Sequence, residues 1–375
     1  MARIVISLCG EGRGHATRVA TLLEHLAADH EILVFTWADA LGFLRHRFPP
    51  GRGGVEVREI PGLVFQYTGG RLDVFRSVSS GLDYQARVLG PLVERLIDEI
   101  DAFGADLGIS DFEPALPRAC ARQGIPLVSV DHQHFLLAYD LAALPAALKW
   151  HAWAMGYAVV WMCTSAASAT VVSAFFRPPL RRGWEHVVQV GPLLRREIRG
   201  AAPVDRGFIV SYLRRNTPFS VLSALDDCGL PVRVYGLGAR ERYRNVEFLE
   251  IDERRFVEDL VEARAVVAAA GNQLIGEALH LGKPLLVLPE GAHAEQSMNA
   301  HFLAAMGCGE FAPLEEASRE RIAAFVDRMD GYRPALSRVA GKLDGTDDVL
   351  AVIERHLAVA ARGESAGAVG RAWPP

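Results

Sequence analysis

Short apolar runs alternate with amphipathic stretches along nearly the whole chain. Strands are predicted at 3–8 (RIVISL), 31–36 (EILVFT), 55–61, 105–111, 125–131, 168–176 and 185–192. Helical patterns lie between them, over 16–28, 38–48, 84–103 and 114–123. The pattern then restarts. Strands at 208–213 (FIVSYL), 232–237, 245–251, 265–271 and 284–289 alternate with helices over 218–229, 252–263, 273–280 and 295–305. Such alternation implies an α/β fold with mostly parallel sheets covered on both faces. The stretch 195–207 is polar, carries Gly and Pro, and reads as a linker. The expected organisation is two Rossmann-like domains, 1–194 and 208–345, whose parallel sheets face a central cleft. A helix over 346–361 is expected to pack back on the first domain, and 362–375 reads as a disordered tail.

Composition narrows the function classes. At 375 residues, 50% of them hydrophobic, the chain exceeds the size at which one core stops growing, in keeping with two. Net charge is −5, whereas a nucleic-acid partner would call for a basic patch on a basic domain. Cys9, Cys120, Cys163, Cys228 and Cys308 are scattered and form no CxxC pair. They support neither a disulfide framework nor a zinc site, and point to a reducing, cytoplasmic compartment. No small-residue cleavage site follows the first apolar run, which reads as a strand and not a leader. The apolar stretch 141–162 is broken by Pro145, Lys149 and His151. It has two readings: a core or interdomain helix, or a surface that docks on a membrane or a lipid-like acceptor.

Ligands of parallel sheets sit at the carboxyl ends of strands. The segment CGEGRGHATR, 9–18, occupies that place after the first strand. Its glycines Gly10, Gly12 and Gly14 are expected to permit positive φ and close approach to a ligand. Their spacing does not match the G-x-G-x-x-G dinucleotide fingerprint. His15, at a helix start that disfavours imidazolium, is a candidate general base, or else a capping or packing residue. Asp111 ends another strand, where it could orient His15 or cap the following helix. Asp131, His132 and His134, in SVDHQHF, are candidates for acceptor contacts or wall packing. No third ligand of suitable spacing suggests a metal.

In the second half, AAAGNQLIGEALHLGKPLLVLPEGAHAEQSMNA ends a strand at Gly271 and starts a helix at Asn272 or Gln273. The free N–H groups there can seat a phosphate. Glu277 lies further along that helix, suited to a ribose diol, and Glu295 and Gln296 open the next helix with chemistry suited to sugar hydroxyls.

On these residues the chain resembles glycosyltransferases of the GT-B fold, closest to glycosyltransferase family 28. It also resembles an uncharacterised MurG-like group that shares GEGxGHATR, ISDFEP and DxQHF. The resemblance implies a nucleotide-sugar donor, usually UDP-linked, held mainly by the second half. It places the diphosphate at Gly271–Gln273, the ribose at Glu277 and the sugar at Glu295 and Gln296, with His15 and Asp111 as a dyad. Where family 28 has a glycine-rich loop, this chain has SYLRRNTP, whose Ser211, Arg214 and Arg215 could neutralise diphosphate charge.

The expectation is an inverting, metal-independent hexosyl or N-acetylhexosaminyl transferase with no cofactor beyond its co-substrate. It would act on a small-molecule or lipid-linked acceptor, in the cytoplasm or peripherally on a membrane. The rival readings are a nucleotide-sugar 2-epimerase of the same fold, which needs no acceptor, and a non-catalytic nucleotide-sugar binder, which needs no poised base.

Overall fold

A computed structural model describes the chain except for residues 52, 65, 69–70, 73, 163–166, 215–216, 292 and 363–375. Arg215 and the tail after 362 therefore lie outside the described residues. Two compact units emerge. The first takes the described residues of Met1–Tyr67, Asp73–Leu193 and Gly345–Pro375; the second takes those of Thr68–Leu72 and Leu194–Asp344.

The first unit is built on seven parallel strands. These are β1 (Arg3–Leu8), β2 (Glu31–Thr36), β3 (Val55–Glu59), β6 (Leu107–Asp111), β7 (Leu127–Asp131), β8 (Ala169–Ser173) and β9 (Val188–Val190). Two short strands, β4 (Tyr67–Thr68) and β5 (Arg71–Leu72), pair with each other apart from this sheet, and β5 is grouped with the second unit. The sheet order is β3-β2-β1-β6-β7-β8-β9. β1 is central, and its alternate residues serve opposite faces. Ile4, Ile6 and Leu8 join Val19, Leu22 and Leu23 of the helix Arg13–Leu26. Val5 instead joins Leu92, Leu96 and Ile100 of the helix Leu89–Phe103. Burial on both faces explains why these strands read as unbroken apolar runs.

The helix Thr346–Ala361 completes the first of these layers through Val349, Val352, Ile353 and Leu357. Its entry is tight. A Cβ on Gly345 would stand 2.3 Å from the carbonyl oxygen of Gly191, so this position takes only glycine.

The second unit repeats the plan with β10 (Ile209–Tyr212), β11 (Val232–Tyr235), β12 (Arg240–Tyr243), β13 (Val246–Phe248), β14 (Ala265–Ala268), β15 (Leu285–Val287) and β16 (Gly309–Phe311). Their order is β12-β13-β11-β10-β14-β15-β16. All pairs are parallel except β12 with β13. The periodicity missed β12, whose sequence RERY is an exposed edge with no apolar alternation, and β16, which is only three residues long. The stretch 195–207, expected as a linker, carries the short helix Arg196–Arg199 and belongs to the second unit.

Candidate active site

The site in the first unit follows from strand register. β1 pairs with β6 so that Leu8 lies opposite Asp111. The Cys9 N–H donates to the Asp111 carbonyl oxygen at 2.9 Å, which fixes the Asp111 backbone beside the end of β1. The chain then turns through Gly12, at φ 82° and ψ 147°, and enters its helix at Arg13, earlier than the pattern predicts. His15 thus sits in the first helical turn.

Only Gly12, of the three glycines in this segment, takes a positive φ. Gly10 has a different purpose. A Cβ there would meet the Trp37 indole at about 2.5 Å, so this glycine makes room for a packed side chain. Gly14 lies within the helix. The expectation of a positive φ at all three holds for Gly12 alone.

His15 Nδ1 lies 2.8 Å from Asp111 Oδ1. One turn on, Arg18 Nη1 donates to the same oxygen at 3.1 Å. Arg18 is 3% and Asp111 1% exposed, so this carboxylate depends on its partners for the solvation it has lost. A carboxylate only accepts hydrogen bonds. Facing it, Nδ1 is the nitrogen that carries a proton, so in the neutral tautomer Nε2 holds the lone pair. Phe112 stacks on the His15 ring with centroids 6.4 Å apart. It does so from a backbone at φ 58°, a left-handed conformation that costs a bulky residue about 1–2 kcal/mol.

Asp111 does not cap the next helix. Glu113 accepts from the N–H groups of Ala115 (2.7 Å) and Leu116 (2.9 Å), at the start of the helix Ala115–Gln123. Asp111 is left to serve His15 and Arg18. Arg18 escaped the sequence reading, although its place three residues after His15 on one helix face was the available signal.

A second carboxylate–imidazole pair ends β7. Asp131 accepts from the His134 backbone N–H at 2.9 Å and from Ser129 Oγ at 2.9 Å, and its Oδ2 lies 2.6 Å from His134 Nδ1. Burial pushes the Asp131 carboxyl up, but His134 and these hydrogen bonds outweigh it and hold the group down at about 2. His132 is buried instead among Phe135 and Phe176, with Nδ1 3.1 Å from the Ser173 carbonyl oxygen. It is packed in this aromatic cluster.

In the second unit, Gly271 precedes the helix Asn272–His280 and, lacking a side chain, gives it no side-chain cap; its own N–H donates to the Ala269 carbonyl oxygen at 2.8 Å. Space around the Gly271 Cα is open. Glu277 lies in the helix, and its carboxylate is paired within the protein. Arg195 Nε donates to Glu277 Oε1 at 2.9 Å and Nη2 donates to Oε2, a two-pronged clamp on a carboxylate 1% exposed. Burial works against the Arg195 charge, yet Glu277 outweighs it and raises the guanidinium above its ordinary value. Sequence carried no signal for this pair, since Arg195 lies in the stretch expected as a linker.

Ser211 lies inside β10 and is fully buried, so it is not presented on the loop that follows. Arg214, on that loop, donates to Glu290 at 3.0 Å. Gln296 spends its side-chain oxygen on the Glu290 N–H at 2.9 Å, closing the turn after β15. Glu295 lies in the first turn of the helix Ala294–Ala305, next to His293, which burial holds in its neutral form by lowering its pKa. Among the described residues no group of three or more His, Cys, Asp or Glu could hold a metal.

The sequence model of glycosyl transferase family 1 matches residues 2–330. An uncharacterised glycosyltransferase of Methanosarcina mazei is 27% identical, over 94% of this chain and 98% of its own length. The glycotransferase of kitacinnamycin superposes with a TM-score of 0.66 at 17% identity, over 95% of this chain and 99% of that one. LpCGTa, solved in complex with UDP, does so with 0.65 at 17% identity, again over 95% and 99%. The fold is GT-B.

Two outcomes follow from these charges. Glu277→Ala leaves the buried Arg195 with Glu253, 3.0 Å from its Nη1, in place of two carboxylates, and should lower unfolding stability by up to about 3–5 kcal/mol in urea denaturation. A variant as stable as the parent that has lost UDP affinity would instead make Glu277 a ligand contact. Because the Asp131 carboxyl is depressed in the folded state, its contribution to stability is complete above about pH 4 and disappears as pH falls through about 2. Asp131→Asn should be less stable at pH 7 and should lose stability less steeply than the parent across that acid range. Parallel acid profiles for the two proteins would refute this.

Proposed function

This chain belongs to glycosyl transferase family 1, and on that footing we propose that it moves a sugar from a uridine diphosphate donor to an acceptor hydroxyl, with inversion and without a metal ion. The observation that carries this reading is the 2.8 Å contact between His15 and Asp111. It leaves Nε2 of a neutral imidazole as the base.

The acceptor hydroxyl gives its proton to His15 Nε2 as its oxygen bonds to the anomeric carbon. The bond from that carbon to the phosphate oxygen breaks, and the diphosphate leaves with the electron pair. A single displacement of this kind inverts the anomeric centre. Asp111 orients the imidazole and stabilises the imidazolium that forms. Arg18 holds Asp111 in place and takes up part of its charge, so the carboxylate orients the base without dominating it.

Donor binding falls to the second unit. The helix start at Gly271–Gln273 would receive the diphosphate, its dipole favouring an anion. Arg214 adds positive charge, the role a metal ion plays in other transferases. Glu295, with Gln296 bracing its turn, would meet the sugar, a hexosyl or N-acetylhexosaminyl group by the resemblance to family 28. The UDP bound in LpCGTa supports the choice of nucleotide. Asp131 and His134 are assigned to the acceptor side.

His15→Ala should keep its fold and its affinity for UDP, while turnover falls by about 10²–10⁴, the usual worth of a general base. Asp111→Asn should lose less. Turnover measured beside calorimetric UDP affinity decides the matter. Parent-like turnover in His15→Ala, or joint loss of turnover and UDP binding, would move the base elsewhere. Excess EDTA should leave turnover unchanged; loss that magnesium or manganese restores would end the metal-free reading.

A further inference from the structure

The helix Ala146–Met162 has two unlike faces. Ala152, Gly156, Val159 and Met162 are buried, and a Cβ on Gly156 would stand 3.0 Å from Leu137 Cδ2, so this face packs closely. The other face is aromatic and bare. Trp150 is 63% exposed, and Trp153 and Tyr157 are each 51% exposed. At spacings of three and four residues they form one stripe. They also stack on each other: Trp150 on Trp153 with centroids 4.7 Å apart, and Trp153 edge-on to Tyr157 at 5.0 Å. A sequence that is apolar on all sides would suit a buried helix, but here the largest side chains face outward.

Charge says what covers them. From Leu141 to Trp184 the sequence holds Lys149, Arg177, Arg181 and Arg182 and no acidic residue, in a chain of net charge −5. Lys149, Arg177 and Arg182 are exposed. The arginine loop is tied to the segment that leads into the helix. Arg181 N–H donates to the Ala138 carbonyl oxygen (2.7 Å), and Asp140 N–H donates to that of Pro179 (2.8 Å). Asp140 and Glu185 flank the region, and each is turned to a local task. Asp140 accepts from the Ala142 N–H and Glu185 from the Gly183 N–H.

We propose that this aromatic face, with Lys149 and the Arg177–Arg182 loop, docks on the surface of an anionic lipid bilayer. Trp and Tyr are the side chains that settle at the headgroup level, and basic residues beside them are drawn to anionic lipid. The helix lies on the surface and does not span it, since no helix among the described residues is long and apolar enough to cross a membrane. A second copy of the chain is a poorer partner. A two-fold pairing through this face would set Lys149 and the arginines against their own images.

The test is co-sedimentation of the full chain with phosphatidylcholine vesicles, with and without about 30% phosphatidylglycerol, followed also by tryptophan emission. Binding to the anionic vesicles with a blue shift is expected, and it should fall as salt rises. The triple variant Trp150→Ser, Trp153→Ser, Tyr157→Ser changes only exposed side chains and should keep its melting temperature. It should bind about tenfold more weakly or worse, as should Lys149→Glu with Arg182→Glu. Failure of the parent to bind either vesicle, equal binding to both, or equal binding by the variants overturns the proposal. So does self-association of the parent that the aromatic variant abolishes without any change in vesicle binding.

Discussion

A carboxylate withdrawn from water must be paired, and Asp111 is the place where that requirement organises the first unit. Its backbone is set by the register of β6 against β1, and its side chain is 1% exposed. The two groups that satisfy it, His15 and Arg18, come from the helix that follows β1. That helix must therefore begin close to the strand end, and the left-handed turn at Gly12 allows it. Phe112 adopts its own left-handed backbone just beyond Asp111, and Glu113 then takes up the helix start that Asp111 would otherwise have to cap. The same interaction orients the imidazole. The packing of this strand end and the orientation of His15 thus rest on one buried charge.

The second unit shows the same rule with another result. Glu277 is as buried as Asp111, but its partner is Arg195, 82 residues earlier in the chain. Two prongs of a guanidinium occupy the carboxylate, whereas an imidazole would have left a nitrogen free for chemistry. Burial fixes the need for a partner. The partner's identity decides whether the site is a joint or a working group. The helix start after Gly271 differs from both, since its N-cap glycine brings no side chain to it.

The helix Ala146–Met162 adds a constraint of another kind. Apolar surface left in water costs about 25 cal/mol per Å², so three stacked aromatic rings held outward are not neutral in energy. The buried face has no room for them, because Gly156 already brings the helix close to Leu137. Close packing on one side thus forces the bulky side chains to the other.

The sequence by itself determined the alternation of strand and helix, the parallel α/β class and the two-part organisation. Strands buried on both faces must be written as apolar runs, and that pattern is local. It placed Asp111, Asp131 and His134 at strand ends for the same reason, and His15 at the start of the helix after the first strand. Its failures are also physical. The charged edge strand Arg240–Tyr243 has no apolar face to betray it. Tertiary structure alone decided which polar groups meet. The pairing of Asp111 with Arg18 and of Glu277 with Arg195, the burial of Ser211 and His132, and the work given to Glu113 all depend on register and on distant segments. A carboxylate is spelled the same way whether it meets solvent, a ligand or a guanidinium, and only the folded chain supplies its neighbour.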